Sequence, residues 1–376
     1  MRILVASWPG YGHLLPMVPL IRAAQRRGAE VLVTTGADLA PVVERLGVPA
    51  HRSGLTLAES YARLPVVVGE LPAAEQPAFA ARHFFGAGAV DRARDIADLV
   101  AGWRPDLVVH DTLELGSATV AVGAGIPHVT HGYGPSVPGT DAFARVLGAA
   151  VAEAGLPDPV PAVLAAPYLE PCPPGLHGPD PEPWQDIRPI RPNAGEPGGY
   201  VLPPRDRPIV YLTLGTVVNQ NPEAFRAVLE GCLRHPVDIV ATTGPDVDPA
   251  VLGELPPQVL AAPYLPQADV LPHCTAVVSH CGAGTMFGAL CHGLPHLAVP
   301  LGADQPANAA ALAASGAGLV VTPDGVAAGL GRLLAEPSFR AAAERLAAGA
   351  AAMPTADEVL DGLVGSELQD RAAGLR

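Results

Sequence analysis

Residues 279–285, which read Ser-His-Cys-Gly-Ala-Gly-Thr, join an apolar run to a helical stretch predicted at 284–292. Glycine lets the backbone approach a ligand closely, and the N–H groups at a helix N-terminus attract an anion. His280 and Thr285 add side-chain donors beside the same anion. The segment therefore predicts a cradle for a phosphate or diphosphate. A plain helix cap with His280 buried in the core is the alternative.

His13 and Asp111 are candidates for acid–base chemistry. His13 lies in the Gly-rich segment 10–16, and Asp111 comes just after the strand predicted at 105–110. An imidazole accepts a proton near neutral pH, and a carboxylate can orient the ring and stabilise the imidazolium. Both residues are expected at the carboxyl ends of parallel strands, on one rim of the sheet. Simple capping of the helices that follow is the alternative. The neighbouring His110 should point to the opposite face of its strand, in a structural role.

The elements that must hold these residues alternate between strand and helix in both halves of the chain. The pattern is interrupted by a region at 53–90 that looks loop-rich and by a Pro-rich stretch at 156–208. This order predicts an α/β fold with a parallel sheet in each half. The predicted strands are 2–7, 29–35, 105–110, 126–131, 209–214, 237–243, 258–262, 276–279 and 296–299, and the predicted helices are 14–27, 38–46, 113–124, 222–235, 267–273, 284–292, 304–315 and 324–376.

The length of 376 residues suits about two domains. We expect an N-terminal domain at 1–192, a Gly- and Pro-rich linker at 193–207 and a C-terminal domain at 208–356. A final helix at 357–376 is expected, with a return to the first domain as one option. Ligands bind at the carboxyl ends of such strands, so two facing sheets predict a cleft between the domains.

Composition excludes several classes of protein. The net charge of −14 argues against nucleic-acid and anionic-membrane partners. The chain has no lysine, which excludes a Schiff-base lysine and a P-loop. Five cysteines without a CxxC pair indicate a reducing compartment, with no disulfide framework and no zinc finger. The sequence shows neither a signal peptide nor a membrane span, so we expect a cytoplasmic protein.

Two further blocks flank the Gly-rich segment. Residues 263–267 read Pro-Tyr-Leu-Pro-Gln, and residues 300–308 read Pro-Leu-Gly-Ala-Asp-Gln-Pro-Ala-Asn. With 279–285 between them, these blocks resemble, in order and spacing, the nucleotide-sugar signature of the GT-B glycosyltransferases of family 1. That group contains plant natural-product and bacterial antibiotic glycosyltransferases. Segment 10–16 looks like the family's first loop. The resemblance implies two facing Rossmann-like domains and a metal-independent reaction that needs no cofactor beyond the nucleotide-sugar co-substrate.

The resemblance also implies roles for individual residues in an inverting transfer. His13 would be the general base, and Asp111 its partner. Tyr264 would stack on the nucleobase, where many relatives have Trp, and the backbone of Leu265 would bond the base. The implied donor site comprises Tyr264, Leu265 and Gln267 for the base and ribose, Thr216, His280, Gly282, Ala283, Gly284 and Thr285 for the diphosphate, and Asp304 and Gln305 for the sugar hydroxyls.

One position departs from the family pattern. Plant-type members place a Glu that binds the ribose hydroxyls eight positions after the signature His, and here residue 288 is Gly. A deoxyribose has no 2′-hydroxyl to satisfy, so this site suits a dTDP-sugar better than a UDP-sugar. The resemblance to bacterial antibiotic glycosyltransferases makes a deoxysugar donor and an apolar bacterial natural product the preferred substrates, and residue 288 makes dTDP the preferred nucleotide.

The acceptor pocket is expected in the N-terminal domain, chiefly from 53–90 and 131–150, with Phe84, His131 and Tyr133 as lining residues. Ordinary core packing is the alternative for these aromatic side chains. Four other functions stay open: a UDP-sugar-dependent transferase, a nucleotide-sugar 2-epimerase, a lipid-acceptor transferase, which the acidic charge disfavours, and a catalytically silent nucleotide-sugar-binding partner. A homodimer or an auxiliary protein also stays open.

Overall fold

The computed structural model describes residues 1–66, 71–72, 75–135, 140–177, 183–215, 222–245 and 247–374. Within these residues, a parallel sheet of seven strands occupies the N-terminal half. Its strands are β1 (Arg2–Ala6), β2 (Glu30–Thr35), β3 (Ala50–Arg52), β4 (Leu107–Asp111), β5 (His128–His131), β6 (Pro167–Glu170) and β7 (Asp186–Pro189). They lie in the order β3-β2-β1-β4-β5-β6-β7.

A second parallel sheet, of six strands in the part of the chain that the structure describes, occupies the C-terminal half. Its strands are β8 (Ile209–Thr213), β9 (Asp238–Thr242), β10 (Val259–Ala262), β11 (Ala276–Ser279), β12 (His296–Ala298) and β13 (Gly318–Val320). They lie in the order β10-β9-β8-β11-β12-β13, which repeats the order of the first sheet. The α/β fold with a parallel sheet in each half is therefore confirmed.

Strand order reverses at one point in each sheet, between β1 and β4 and between β8 and β11. Such a switch point leaves a crevice at the carboxyl ends of the strands, where ligands bind in open α/β sheets. His13 follows β1, and Asp111 is the last residue of β4. Gly215 follows β8, and His280 follows β11. The segments that carry the candidate site residues thus lie at the switch points of the two sheets.

Helices connect the strands of the first sheet. They are α1 (Tyr11–Leu14), α2 (Val18–Arg26), α3 (Ala40–Arg45), α4 (Leu57–Ala62), α5 (Gln76–Phe79), α6 (Ala87–Trp103), α7 (Leu115–Ala124), α8 (Thr140–Glu153) and α9 (Val160–Ala165). The prediction that 53–90 is loop-rich was wrong, because α4, α5 and a π-helical stretch at Ala80–Gly86 fill much of it. A π-helix has a different hydrogen-bond spacing, so no single 3.6-residue period spans the region.

The Pro-rich stretch 156–208 is also more structured than its composition suggested. It contains α9 and the last two strands of the first sheet, β6 and β7. Proline is tolerated at strand ends and sheet edges, and Pro167 and Pro189 occupy such positions. Residues 191–206 contain no helix or strand. The domain boundaries at 192 and 208 remain predictions.

Helices of the C-terminal half are α10 (Pro222–Cys232), α11 (Gln267–Val270), α12 (Ala283–Cys291), α13 (Gln305–Ala314), α14 (Val326–Ala335), α15 (Pro337–Ala352) and α16 (Ala356–Gly374). Helix α16 packs against α2, and Val359, Leu360 and Leu363 are buried in the core of the first sheet. Arg26 and Arg27 of α2 form ion pairs with Asp357, and Arg27 also pairs with Asp361. Among the described residues, no helix has the length and apolarity needed to cross a membrane.

The two halves contact each other beside α1 and α2. Arg22 forms a two-pronged ion pair with Glu196, with N–O distances of 2.8 and 3.1 Å. The Asn193 amide donates to the backbone carbonyl of Leu15 at 2.7 Å. The segment after α1 is therefore tied directly to the chain that enters the second half.

Candidate active site

His13 and Asp111 form a hydrogen-bonded pair at the switch point of the first sheet. The Nδ1 of His13 lies 3.1 Å from Oδ1 of Asp111, and the His13 side chain is 17% exposed whereas that of Asp111 is 1% exposed. The capping alternatives were wrong: Gly10 is the N-cap of α1, and Glu114, which accepts from the Ser117 N–H, is the N-cap of α7. The pair thus presents one edge of an imidazole to solvent and fixes the other edge on a buried carboxylate.

The Asp111 carboxylate sits in a ring of N–H donors. Oδ2 accepts from the Trp8 backbone N–H at 2.5 Å, and Oδ1 accepts from the Leu113 backbone N–H at 2.8 Å as well as from His13. Burial by itself raises the pKa of this carboxyl, but the charge of His13 and these hydrogen bonds outweigh it and hold the pKa of Asp111 below its ordinary value. Asp111 is therefore ionised at neutral pH and able to stabilise an imidazolium.

Tyr133 lies between this pair and the second half of the molecule. Its ring centroid is 4.5 Å from that of His13, and the ring packs against the cluster that includes Cys281 and Ala283. The next residue, Gly134, approaches so closely that an added Cβ would lie 3.0 Å from the Ala283 side chain. The His13–Asp111 pair and the Gly-rich segment thus lie on either side of the same two residues, Tyr133 and Gly134.

The other N-terminal site predictions fared differently. His110 is fully buried on the far side of β4, as predicted, and its Nδ1–H donates to the Asp111 carbonyl at 3.0 Å. His131 is only 2% exposed, its Nδ1–H donates to the Gly132 carbonyl at 2.6 Å, and burial lowers its pKa to about 4. It reaches no open surface here, so an acceptor-binding role for His131 stays a prediction. The side chain of Phe84 lies outside the described residues.

The Gly-rich segment forms the turn between β11 and α12. Gly282 is the N-cap of α12, and Cys281 before it has a φ of 65°, which is strained for a residue with a side chain. Added Cβ atoms on Gly282 and Gly215 would lie 2.4 and 2.5 Å from Nε2 of His280. Only glycine fits at these two positions, because the imidazole occupies the space between them.

His280 is neutral at physiological pH because burial lowers its pKa to about 4. A hydrogen bond between the ring and the backbone of Thr213 acts against this effect of burial. The ring lies between Gly215 and Gly282, at the turn before α12. The N-terminus of α12, which begins at Ala283, provides backbone N–H groups in the same turn.

Gln267 links three segments predicted to bind the donor nucleotide or to lie beside it. Its Nε2 donates to the Thr285 hydroxyl at 3.1 Å and to the Tyr211 hydroxyl at 3.4 Å. Thr285 therefore keeps its own O–H as a donor in the first turn of α12. A Cβ added to Gly288 would lie 3.1 Å from Oε1 of Gln267 and 3.2 Å from Leu271. The absence of a side chain at residue 288 thus makes room for Gln267.

The remaining donor-site predictions fall around this turn. Tyr264 exposes 65% of its surface, whereas Leu265 is buried in the core, so only its backbone can face a ligand. Asp304 is the N-cap residue of α13, and Gln305 turns inward, where Oε1 accepts from the backbone N–H groups of Leu301 and Gly302 at 2.7 and 3.1 Å. Thr216 lies outside the described residues.

Three functional candidates received no role from the sequence, although Ser279 and Asn308 lie in the blocks 279–285 and 300–308. Ser279 and Asn308 bond the strained Cys281, and Arg92 is buried beside Trp8 near the His13–Asp111 pair. Asn308 had a detectable signal, since it follows Asp304 by four residues and so shares its helix face. Arg92 had none, because it is one of two arginines on an amphipathic helix.

Comparison with known proteins supports this geometry. Models of the N- and C-terminal domains of the family described as erythromycin biosynthesis protein CIII-like match residues 74–188 and 227–365. The L-demethylnoviosyl transferase of Streptomyces niveus is 34% identical over 98% of this chain and 98% of its own.

Solved structures agree with the sequence relatives. The glycosyltransferase SsfS6 of Streptomyces sp. SF2575, solved with thymidine diphosphate, is 28% identical with a TM-score of 0.82, covering 97% of this chain and 100% of that chain. The glycosyltransferase VinC, solved with dTDP, is 26% identical with a TM-score of 0.76, covering 98% of this chain and 100% of that chain.

Two Rossmann-like domains with the fold of solved glycosyltransferases place the chain in the GT-B class, as the family resemblance implied. Within that class, the chain belongs to the family 1 antibiotic glycosyltransferases with EryCIII-like domains. It is therefore an enzyme of natural-product glycosylation.

Proposed function

We propose that this glycosyltransferase moves a deoxysugar from a dTDP-sugar to a hydroxyl group of an apolar aglycone, with inversion at the anomeric carbon. The observation that carries the proposal is the His13–Asp111 pair, which Tyr133 connects to the cluster of Cys281 and Ala283 at the start of α12. One side of Tyr133 can accept a proton, and the other can receive negative charge.

In the proposed reaction, the acceptor oxygen attacks the anomeric carbon as the bond from that carbon to the diphosphate oxygen breaks. Nε2 of His13 takes the proton of the acceptor hydroxyl, because Nδ1–H is committed to Asp111. Asp111 holds this tautomer and stabilises the imidazolium that forms. The electron pair of the broken bond leaves with dTDP, which carries one more negative charge than it had as a substituent of the sugar.

We propose that His280, Thr285 and the N-terminus of α12 meet the charge of the leaving diphosphate without a metal ion. His280 places a neutral imidazole at the turn, Thr285 has its hydroxyl proton available, and α12 adds backbone N–H groups. Donors fixed before the reaction stabilise developing charge without reorganising, which is a large source of catalysis. Thr216 is proposed to reach the same diphosphate.

The preference for dTDP over UDP rests on Gly288. A larger side chain there would displace Gln267 or Leu271, so this pocket does not accommodate a carboxylate for a ribose 2′-hydroxyl without rearrangement. We propose that the exposed ring of Tyr264 stacks on the base. Asp304 and Gln305 are proposed to bind the sugar. Two relatives were solved with thymidine diphosphate or dTDP, which supports the same nucleotide here.

Matched pairs of dTDP- and UDP-sugars, each incubated with a panel of polyketide and aromatic aglycones, test the proposal by mass spectrometry of the glycosylated product. We expect turnover with dTDP-sugars, and a clear preference for UDP-sugars would contradict the nucleotide assignment. Donor epimerisation without an aglycone would instead identify a 2-epimerase. The His13→Ala variant should lose about 10²–10⁴-fold in rate, whereas a silent binding partner would show no product with either protein.

A further inference from the structure

Asn308 occupies the junction between the diphosphate cradle and the proposed sugar site. It lies on α13, and its side chain is completely buried. Nδ2 donates one hydrogen bond to the carbonyl of Cys281 at 3.0 Å and another to Oδ2 of Asp304 at 2.7 Å. One amide nitrogen therefore joins a backbone group of the cradle to the side chain proposed to bind sugar hydroxyls.

The Cys281 end of this link holds a strained peptide. The φ of 65° at Cys281 is unfavourable for a residue with a Cβ, so neighbouring groups must hold it in place. The Ser279 hydroxyl accepts from the Cys281 N–H at 2.9 Å, and Asn308 donates to the Cys281 carbonyl. In a trans peptide the Gly282 N–H points opposite to that carbonyl, so fixing the carbonyl also fixes the direction of the first donor of the cradle.

The Asp304 end of the link sets a rotamer. With Oδ2 held by Asn308, the carboxylate cannot rotate freely, and Oδ1 faces a fixed direction. The orientation of the Asn308 amide is itself determined, because a flip would set its oxygen against the carbonyl of Cys281 and the carboxylate of Asp304. The Asn308 Oδ1 is buried without a partner among the described residues, which is destabilising. The two hydrogen bonds of Nδ2 hold the amide in this orientation.

We propose that Asn308 is a positioning residue that couples recognition of the donor sugar to the shape of the diphosphate cradle. The proposal rests on the function proposed above for Asp304 and for the turn at 279–285. Through Asn308, a sugar that engages Asp304 stabilises the same arrangement that points the Gly282 N–H at the diphosphate. Ser279 holds the other side of Cys281 without touching Asp304, so it provides a matched control within the same turn.

Binding of dTDP and of a dTDP-sugar, measured by calorimetry without acceptor, tests the coupling. Loss of one hydrogen bond corresponds to about a 2- to 12-fold weaker Kd. Ser279→Ala should weaken both ligands by the same factor, and Asp304→Ala only the dTDP-sugar. Asn308→Ala should weaken both, with a loss for the dTDP-sugar that exceeds the loss for dTDP by about fivefold or more.

A double-substitution cycle makes the prediction sharper. Once Asp304→Ala is present, adding Asn308→Ala should weaken the dTDP-sugar only by the factor seen with dTDP. Equal losses for the two ligands in Asn308→Ala, or additive losses in the cycle, would overturn the proposal. Asn308→Ser, which can donate one bond but not two, replaces Asn308→Ala if thermal unfolding shows that the alanine variant does not fold. If wild type binds UDP-sugars instead, the nucleotide assignment fails, and the same cycle with UDP and a UDP-sugar still measures the coupling.

Discussion

Asp111→Asn separates the charge of the proposed acid–base pair from its shape. The native carboxylate accepts from three N–H groups, those of His13, Trp8 and Leu113. An amide has only one acceptor oxygen, so one side must present an NH₂ group to a donor. If that group takes the place of Oδ2, it faces the Trp8 N–H across a contact of 2.5 Å.

The other orientation damages the base directly. An NH₂ group in the place of Oδ1 opposes the Leu113 N–H and donates to Nδ1 of His13. The imidazole then carries its proton on Nε2 and cannot accept one from the substrate there. Either way at least one buried donor loses its partner, which costs about 1–3 kcal/mol of stability. We expect kcat to fall about 10²–10⁴-fold, or ~3–5 kcal/mol in the activation free energy.

Product formation at saturating donor and acceptor measures kcat, and calorimetry with dTDP alone measures donor binding, which should not change. Glu114→Gln is the matched control, since Glu114 is an equally buried acid on the same loop that bonds Ser117 and not His13. It should lower stability but leave kcat within about threefold. The role of Asp111 is refuted if Asp111→Asn, folded and binding dTDP, keeps kcat within tenfold of wild type, or if the control loses just as much.

Three further predictions concern other parts of the molecule. Gly215 has a φ of 85°, and Gly215→Ala would place a Cβ 2.5 Å from the His280 ring. We expect ~1–2 kcal/mol lower stability and at least tenfold weaker dTDP binding by calorimetry. Normal binding would show that His280 does not shape the cradle. Leu360→Ala removes a fully buried side chain of α16 from the core of the first sheet, so urea unfolding should show a loss of ~2–5 kcal/mol, and a loss below 1 kcal/mol would contradict that packing. Burial lowers the pKa of His110, His131 and His280 from 6.5 to about 4, so between these two pH values the rings take up protons only on unfolding. The free energy of unfolding should therefore fall as the pH drops from 6.5 to 4, by up to ~1.4 kcal/mol per pH unit for each ring. Urea midpoints that do not change between pH 7 and 5 would contradict neutral buried rings.

Nine of the thirteen strands in the described residues were predictable because buried parallel strands are short apolar runs that end at recognisable turns. Sequence reasoning did not find β3, β13, α6, α8 or the helices of 53–90. Strands β3 and β13 have only three residues each, and a π-helical stretch before α6 leaves no continuous period. No strand was predicted within the Pro-rich stretch 156–208, because proline counts against strands except at the edges and ends where β6 and β7 place it.

The candidate site was predictable where residue type and strand ends coincide, as at His13, Asp111 and the turn 279–285. Its supporting residues were not, because their roles depend on contacts between distant segments. Arg92 shows this well: its Nη1 donates to the Ser7 carbonyl at 2.8 Å, and its guanidinium lies 4.9 Å from the Trp8 ring centroid. Nothing in the composition of α6 indicates a cation buried behind the loop that holds Asp111.

The return of α16 to the first domain has a consequence for how the protein is made. Val359, Leu360 and Leu363 belong to the hydrophobic core around β1 and β2, yet they leave the ribosome only after β8 to β13 have been synthesised. A nascent chain that lacks them leaves apolar surface of α2 uncovered, so the N-terminal half has to wait for the synthesis of α16 to complete its core. Termination of synthesis before α16 would then harm the half of the enzyme that was made first.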